Sequence, residues 1–238
     1  MAEAANVTTD FTIDARFNGP PTSANGGYIS GRLAQYVDAP AVRVRLRQPP
    51  PLQTPMTVRR SPDGGVHLLR SEQLVAEAIP ADVPQQHLDP VPPAVAEQAS
   101  AGYRGYRNHP FPTCFVCGPE RSTGDGLRLF AGPLGGDPEA DTVACAWTPP
   151  ADPAGLPLVW AALDCPGGWS VDITGRPMLL GQMTAAVFAD PRPGERHVVL
   201  GRLLGVEGRK VFTASALYDA QGTELARAEA VWIRIPQQ

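Results

Sequence analysis

The sequence predicts an α+β protein built from two copies of one unit, each an antiparallel sheet wrapped around a central helix. Two stretches carry this prediction, Asn25-Gly26-Gly27-Tyr28 and Cys165-Pro166-Gly167-Gly168-Trp169, because each places a glycine pair before a large aromatic residue. Both are followed, at nearly the same distance along the chain, by a proline corner and then by strand-like runs. Several landmarks in the same order indicate an internal duplication.

Length and composition limit the classes of protein that remain open. The chain has 238 residues, of which 43% are hydrophobic, enough for two ordinary cores. A net charge of -4 leaves no basic stripe to neutralise phosphates, so nucleic acid is not expected as a partner. The sequence shows neither a secretory signal nor a run of 18 apolar residues, which predicts a cytoplasmic protein that does not insert into membranes. The four cysteines are then expected to be free thiols.

The duplication divides the chain into three parts. Residues 1–84 are predicted to form the first unit and residues 112–238 the second. Between them, residues 85–111 are rich in proline, alanine and glycine, which is typical of a linker, and residues 94–101 could form a short helix within it.

Periodicity places the elements inside each unit. A helix is predicted over residues 25–37, because Tyr28, Ile29 and Leu33 recur at helical spacing, and residues 157–165 have helical composition up to Pro166. Apolar and polar residues alternate, or β-formers dominate, in the predicted strands. These strands cover residues 10–18, 42–47, 56–60, 66–79, 126–130, 142–147, 178–189, 197–206, 210–218 and 224–235.

Both glycine pairs are predicted to lie at the beginning of a helix. Glycine lets the backbone approach a ligand closely, and the free N–H groups of a helix start attract developing negative charge. Gly26, Gly27 and Tyr28, together with Gly167, Gly168 and Trp169, are therefore candidate substrate-binding residues. The alternative is that each pair is only a turn before a core helix.

A second motif, Cys114-Phe115-Val116-Cys117-Gly118, contains a pair of cysteines two residues apart. Such a pair can belong to a zinc site or a redox centre, but structural zinc needs four ligands. His109, Cys145 and Cys165 are the other candidates, at spacings that no familiar site uses. The favoured interpretation is the start of a buried strand, and no metal is predicted.

These two motifs resemble those of one superfamily. Asn25-Gly26-Gly27-Tyr28 is similar to the corresponding stretch of proteins like acyl-CoA thioesterase II. Cys114 to Gly118, with Gly126-Leu127-Arg128-Leu129-Phe130 after it, resembles the first strand of hotdog thioesterases of the phenylacetate pathway. The resemblance implies a tandem, or double, hotdog fold, with the two central helices side by side and an acyl thioester bound at the seam between the units.

The resemblance also implies roles for individual residues. Family members use a carboxylate on or near the central helix to activate water, and Asp164 is the first candidate for this catalytic role. Asn25 stands where many single-hotdog thioesterases carry histidine, and its amide could orient a carbonyl or a water but not exchange a proton. The alternative for Asp164 is a helix cap or a hydrogen-bonded buried carboxylate. Coenzyme A would be part of the substrate, so no separate cofactor is expected.

Two functions of different classes stay open at this level. The first is a hydrolase of acyl-CoA thioesters, and the second is a noncatalytic protein that binds an acyl ligand or acyl-CoA. A dehydratase is less favoured, because neither Asn25 nor Asp164 has a histidine about five residues away at a helix start. Tandem units leave both a monomer and a homo-oligomer open.

Overall fold

The computed structural model describes residues 8–137, 139–150 and 155–236. Eleven strands and three α-helices make up the regular structure of these residues, with short 3₁₀ turns at Ala15–Phe17, Arg104–Tyr106 and Leu134–Gly136. The elements, in chain order, are β1 Thr8–Phe11, α1 Gly26–Ala34, β2 Val42–Leu46, β3 Met56–Arg60, β4 Val66–Arg70, β5 Gln73–Pro80, α2 Pro93–Ser100, β6 Gly132–Pro133, β7 Thr142–Trp147, α3 Gly155–Gly168, β8 Met178–Val187, β9 His197–Glu207, β10 Lys210–Tyr218 and β11 Glu224–Arg234.

All of these strands belong to one antiparallel sheet of eleven strands. Its order is β1-β3-β4-β5-β2-β8-β11-β10-β9-β7-β6, so the strands of residues 8–80 form one half and those of residues 132–234 the other. The halves meet where β2 pairs with β8, from Val42 opposite Ala185 to Arg45 opposite Gln182. An antiparallel sheet with separate helices packed on it confirms the predicted α+β class.

Helices α1 and α3 lie against each other on the inner face of the sheet. A side chain at Gly27 would meet Asp164 and Trp160, and one at Gly31 would meet Trp160 and Pro157, so the two helices run antiparallel. The glycines at these two positions, four residues apart on one face of α1, allow the backbones to approach closely. As a result the beginning of α1 faces the end of α3.

The segment between the two halves is packed rather than extended into solvent. Leu88 and two alanines of α2, Ala96 and Ala99, pack with apolar residues of β7, β9 and β10 in a second hydrophobic cluster. The Tyr218 hydroxyl donates a hydrogen bond to the Leu88 carbonyl. The predicted boundaries at 84 and 112 stay a prediction, but helix 94–101 is confirmed within one residue by α2.

Most predicted strands are confirmed closely, and β3, β7 and β10 have the predicted bounds. The predicted strand over residues 10–18 is wrong beyond Phe11, where β1 ends, and Asp14 then caps a 3₁₀ turn at Ala15–Phe17. The strand predicted over 66–79 is two strands separated by a tight turn, in which Ser71 has a φ of 54°. No described helix is long and apolar enough to cross a membrane.

Two predictions about the motifs are also wrong. Gly167 and Gly168 do not begin a helix: α3 continues through Pro166 and ends at Gly168. They are glycines because a side chain at Gly167 would come within 3.0 Å of the Thr213 hydroxyl, and one at Gly168 within 2.9 Å of the Trp232 ring. Cys114 to Gly118 forms turns rather than a strand, and residues 126–130 have no strand pairing.

Candidate active site

The two candidate catalytic residues, which are far apart in sequence, are in direct contact. Asn25 is the N-cap of α1, and its side-chain oxygen accepts a hydrogen bond from the Tyr28 N–H at 2.9 Å. Its amide nitrogen donates to Asp164 Oδ2 at 2.9 Å, and the Gly27 N–H donates to the same oxygen, also at 2.9 Å. The carboxylate of α3 therefore sits at the N-terminus of α1, where the helix dipole favours negative charge.

The other oxygen of this carboxylate is free. Asp164 is 2% exposed, yet its Oδ1 has no hydrogen-bond partner in the described part of the chain. A buried oxygen without a partner costs free energy that a bound water or ligand can recover. Burial raises the pKa of Asp164 to about 7, with a smaller contribution from the nearby Cys114, while the bonds from Gly27 and Asn25 act against it.

The first turn of α1 offers one free backbone donor. The N–H of Gly27 is taken by Asp164 and that of Tyr28 by Asn25. The N–H of Gly26 has no hydrogen-bond partner among the described residues. Gly26 is thus the one residue of the predicted Gly26-Gly27-Tyr28 set whose amide could bind a substrate oxygen.

Asp164 and Gly26 line the same small cavity, with a volume of about 60 Å³. This volume is well above the roughly 10–15 Å³ that one water needs. The cavity shares Phe111 and Leu179 with an outer groove of about 750 Å³ that is lined mainly by proline and other apolar residues. A ligand could therefore lie in the groove and place one end beside Asp164.

Cys114 and Cys117 of the sequence motif line this cavity, and Cys165 of α3 lies beside them. The Sγ atoms of Cys114 and Cys165 are 3.9 Å apart, and all three sulfurs lie within 4.8 Å of one another. Hydrogen bonds from the other two thiols, together with the backbone N–H groups of Cys117 and Val116, lower the pKa of Cys114. This grouping could not be found from spacing, because Cys165 is far away in sequence.

The remaining candidate residues have packing roles. The Tyr28 ring stacks on Phe17 with centroids 3.9 Å apart. Trp169 is buried on the cavity wall, where its ring packs against Tyr103 and His109. Its backbone N–H already donates to the Cys165 carbonyl at 2.9 Å. Because Gly167 and Gly168 end a helix, they do not supply the free N–H groups of a helix start.

A second cavity, of about 680 Å³, lies near the beginning of α3, beside Tyr28 and Pro157. Its described lining includes the cations Arg16 and Arg128 but no acidic side chain. The cavity beside Asp164, which contains a carboxylate and the free Gly26 N–H, is therefore the candidate active site.

Comparisons with known proteins identify the fold. No family model matches the sequence, and no curated protein matches it either. Among solved structures, one similar chain is a conserved protein of unknown function with a hotdog fold from Alicyclobacillus acidocaldarius. Its TM-score is 0.62 at 11% identity, over 100% of this chain and 96% of that one. The chain has the hotdog fold.

Two further hotdog proteins are similar along nearly the whole chain. An acyl-CoA thioesterase II from Mycobacterium marinum has a TM-score of 0.61 at 12% identity, over 97% of this chain and 94% of that one. The dehydratase domain of PpsC from Mycobacterium tuberculosis, in complex with C12:1-CoA, has a TM-score of 0.60 at 18% identity, over 99% and 97%. At these identities the likeness establishes the hotdog fold, and the reaction has to be argued from the site.

Proposed function

We propose that this hotdog protein hydrolyses acyl-CoA thioesters in the cavity beside Asp164. The observation that carries the proposal is the carboxylate itself: one oxygen is fixed by Asn25 and Gly27, and the other is buried, unpartnered and at a cavity large enough for water. An acyl-CoA thioesterase and an acyl-CoA-bound dehydratase domain among the similar structures support this substrate class.

The proposed reaction uses two groups of the chain. Asp164 Oδ1 takes a proton from a water in the cavity while the water oxygen attacks the thioester carbonyl carbon. The carbonyl oxygen, which becomes negative, accepts a hydrogen bond from the Gly26 N–H. The C–S bond then breaks, and the proton held by Asp164 passes to the leaving coenzyme A sulfur. Asn25 and Gly27 hold Oδ2, which leaves Oδ1 as the oxygen that takes the proton.

The first test is an assay of the purified chain with short, medium, long and aromatic acyl-CoAs, followed by loss of the thioester absorbance. This readout avoids thiol reagents, which would also react with cysteines. Asp164→Asn is nearly isosteric and should lower kcat by about 10²–10⁴, the usual contribution of a general base. Coenzyme A binding without turnover of any substrate would contradict the proposal and favour a noncatalytic binder.

The second test isolates the Gly26 N–H. Gly26 is the first residue of α1, where proline is tolerated, and Asn25 has a ψ of 132°, which suits the residue before proline. Because a side chain at Gly26 would come within 2.8 Å of both Cβ and Cδ2 of Leu180, both variants also carry Leu180→Gly, which removes these two atoms. Gly26→Pro should be about 10²–10³ slower in kcat than the matched Gly26→Ala, since only the proline lacks the N–H. Equal rates would remove this donor from the mechanism.

A further inference from the structure

Beyond the proposed hydrolysis, we infer that Cys114, Cys117 and Cys165 bind a single zinc ion. The three sulfurs converge from two separate elements, the turn at Cys114–Gly118 and the end of α3. In a tetrahedral site with Zn–S bonds of about 2.3 Å, neighbouring sulfurs are about 3.8 Å apart. The observed 3.9 Å between Cys114 and Cys165, with all three sulfurs within 4.8 Å, is close to that arrangement.

The surroundings of the sulfurs suit thiolates rather than apolar thiols. Asn25 Nδ2 lies 3.9 Å from the sulfur of Cys114 and 3.8 Å from that of Cys165. Such N–H donors stabilise negative sulfur and orient metal ligands. Three thiolates without a cation would repel one another in a buried site, and zinc removes that repulsion.

His109 supports the site from outside the ligand set. Its Nδ1 accepts a hydrogen bond from the Phe111 N–H at 2.8 Å, so Nε2 carries the hydrogen of the neutral ring. That Nε2 lies 3.3 Å from the Cys117 sulfur and donates to it, and a nitrogen that carries hydrogen cannot bind the metal. The fourth position of the zinc is therefore left to a water in the 60 Å³ cavity that the cysteines line.

The local backbone also fits a metal-binding turn. The Gly118 N–H donates to the Cys114 carbonyl at 2.9 Å, which closes the turn. A side chain at Gly118 would come within 2.6 Å of Cys114 backbone atoms, so glycine is required directly after the second cysteine. Binding exchanges the protons of three thiols for one Zn²⁺ and involves no change of oxidation state.

The fourth cysteine of the chain provides a matched control. Cys145 is also fully buried, on β7, and burial raises the pKa of its thiol. It does not belong to the group of three sulfurs formed by the other cysteines. Buried thiols of this kind behave as small apolar side chains.

The test measures metal in the full-length protein, without substrate, so its outcome is independent of the thioesterase assay. Protein expressed with added zinc and purified under reducing conditions should contain one zinc per chain, as should Cys145→Ala. Cys114→Ala, Cys117→Ala and Cys165→Ala should lose it. Wild-type protein with no more zinc than Cys165→Ala, or with a disulfide between Cys114 and Cys165 in place of zinc, would overturn the inference.

A second measurement tests the metal site even if the cysteine variants fail to fold, because it uses the wild-type protein. Reduced, zinc-free wild-type protein titrated with Co²⁺ should develop a sulfur-to-cobalt charge-transfer band and the visible bands of a tetrahedral site. His109→Ala should weaken Co²⁺ binding by about 10–100-fold, the usual effect of losing such a supporting hydrogen bond. Absence of the charge-transfer band would also overturn the site.

Discussion

Gly27 gives the sharpest test of how α1 and α3 are packed. In Gly27→Ala the new methyl carbon would lie 2.4 Å from Asp164 Cβ, 2.6 Å from the Trp160 carbonyl oxygen and 3.0 Å from Ala161 Cα. Favourable carbon contacts are about 3.5–4.0 Å long, so the helices must separate by about 1 Å or more. None of these atoms is the end of a flexible side chain, and the helices cannot relieve the clash by a rotamer change.

The expected loss of stability follows from two opposing terms. Overpacking a close contact costs about 1–3 kcal/mol. The cost at Gly27 should lie at the upper end of this range, because the clash involves backbone atoms that cannot move by a rotamer change. Alanine returns about 1 kcal/mol through its higher helix propensity. The net destabilisation should be about 2 kcal/mol, which lowers Tm by about 4–8 °C in a chain of this size.

The control is Gly205→Ala on β9, where a new side chain would meet no atom within 4 Å. That variant should differ from wild type by no more than about 0.5 kcal/mol. The free energy of unfolding of both variants is measured by urea denaturation, with circular dichroism to confirm folding. If Gly27→Ala were as stable as Gly205→Ala, the close crossing at Gly27 would be refuted.

Three further perturbations test other contacts. In Asp219→Ala the turn loses the hydrogen bond from the Thr223 N–H at 2.8 Å, which should lower stability by about 0.5–1.5 kcal/mol at pH 7. Desolvation raises the pKa of Asp219, but the hydrogen bonds from residues 221 and 223 outweigh it and lower the pKa, so the difference in stability from wild type should vanish as pH falls below that pKa. Urea titrations at several pH values measure this difference, and a difference that persisted at low pH would contradict the reasoning. Tyr218→Phe leaves the Leu88 carbonyl without its hydrogen-bond donor, which should lower the free energy of unfolding by about 1–3 kcal/mol. Amide hydrogen exchange around residue 88 should then become faster, and an unchanged exchange rate would count against the contact. Gly118→Ala should abolish zinc binding while Gly205→Ala retains it, which the same metal measurement checks.

Much of the fold could be predicted from local patterns. Alternation predicted the bounds of β3, whose buried residues alternate, whereas β7 and β10 were predicted from their β-forming residues and are buried along most of their length. The second glycine pair was misplaced because Pro166-Gly167-Gly168 resembles a turn. In the structure α3 continues to Gly168, and a side chain at either glycine would be crowded by Thr213 or Trp232, which lie on strands far along the chain.

The site was predictable in its members but not in its arrangement. Asp164 and Asn25 were candidates because of the resemblance to hotdog thioesterases, and the structure adds that they are hydrogen-bonded to each other. That Asp164 would occupy the Gly27 N–H, leaving only Gly26 as a donor, depends on how the two helices cross. The same crossing brings Cys165 to Cys114 and Cys117, and no spacing in the sequence records it.

The pairing of β2 with β8 has a consequence for any attempt to produce the halves separately. Val42–Leu46 and Met178–Val187 each protect the other's backbone N–H and C=O groups from solvent along their shared border. Cutting the chain between them would expose an unpaired strand edge on each fragment, over residues 42–45 of β2 and 182–185 of β8. Such fragments should either recombine with each other or self-associate through the exposed edges of β2 and β8. In the intact chain, each half covers the strand edge of the other and so prevents aggregation through it.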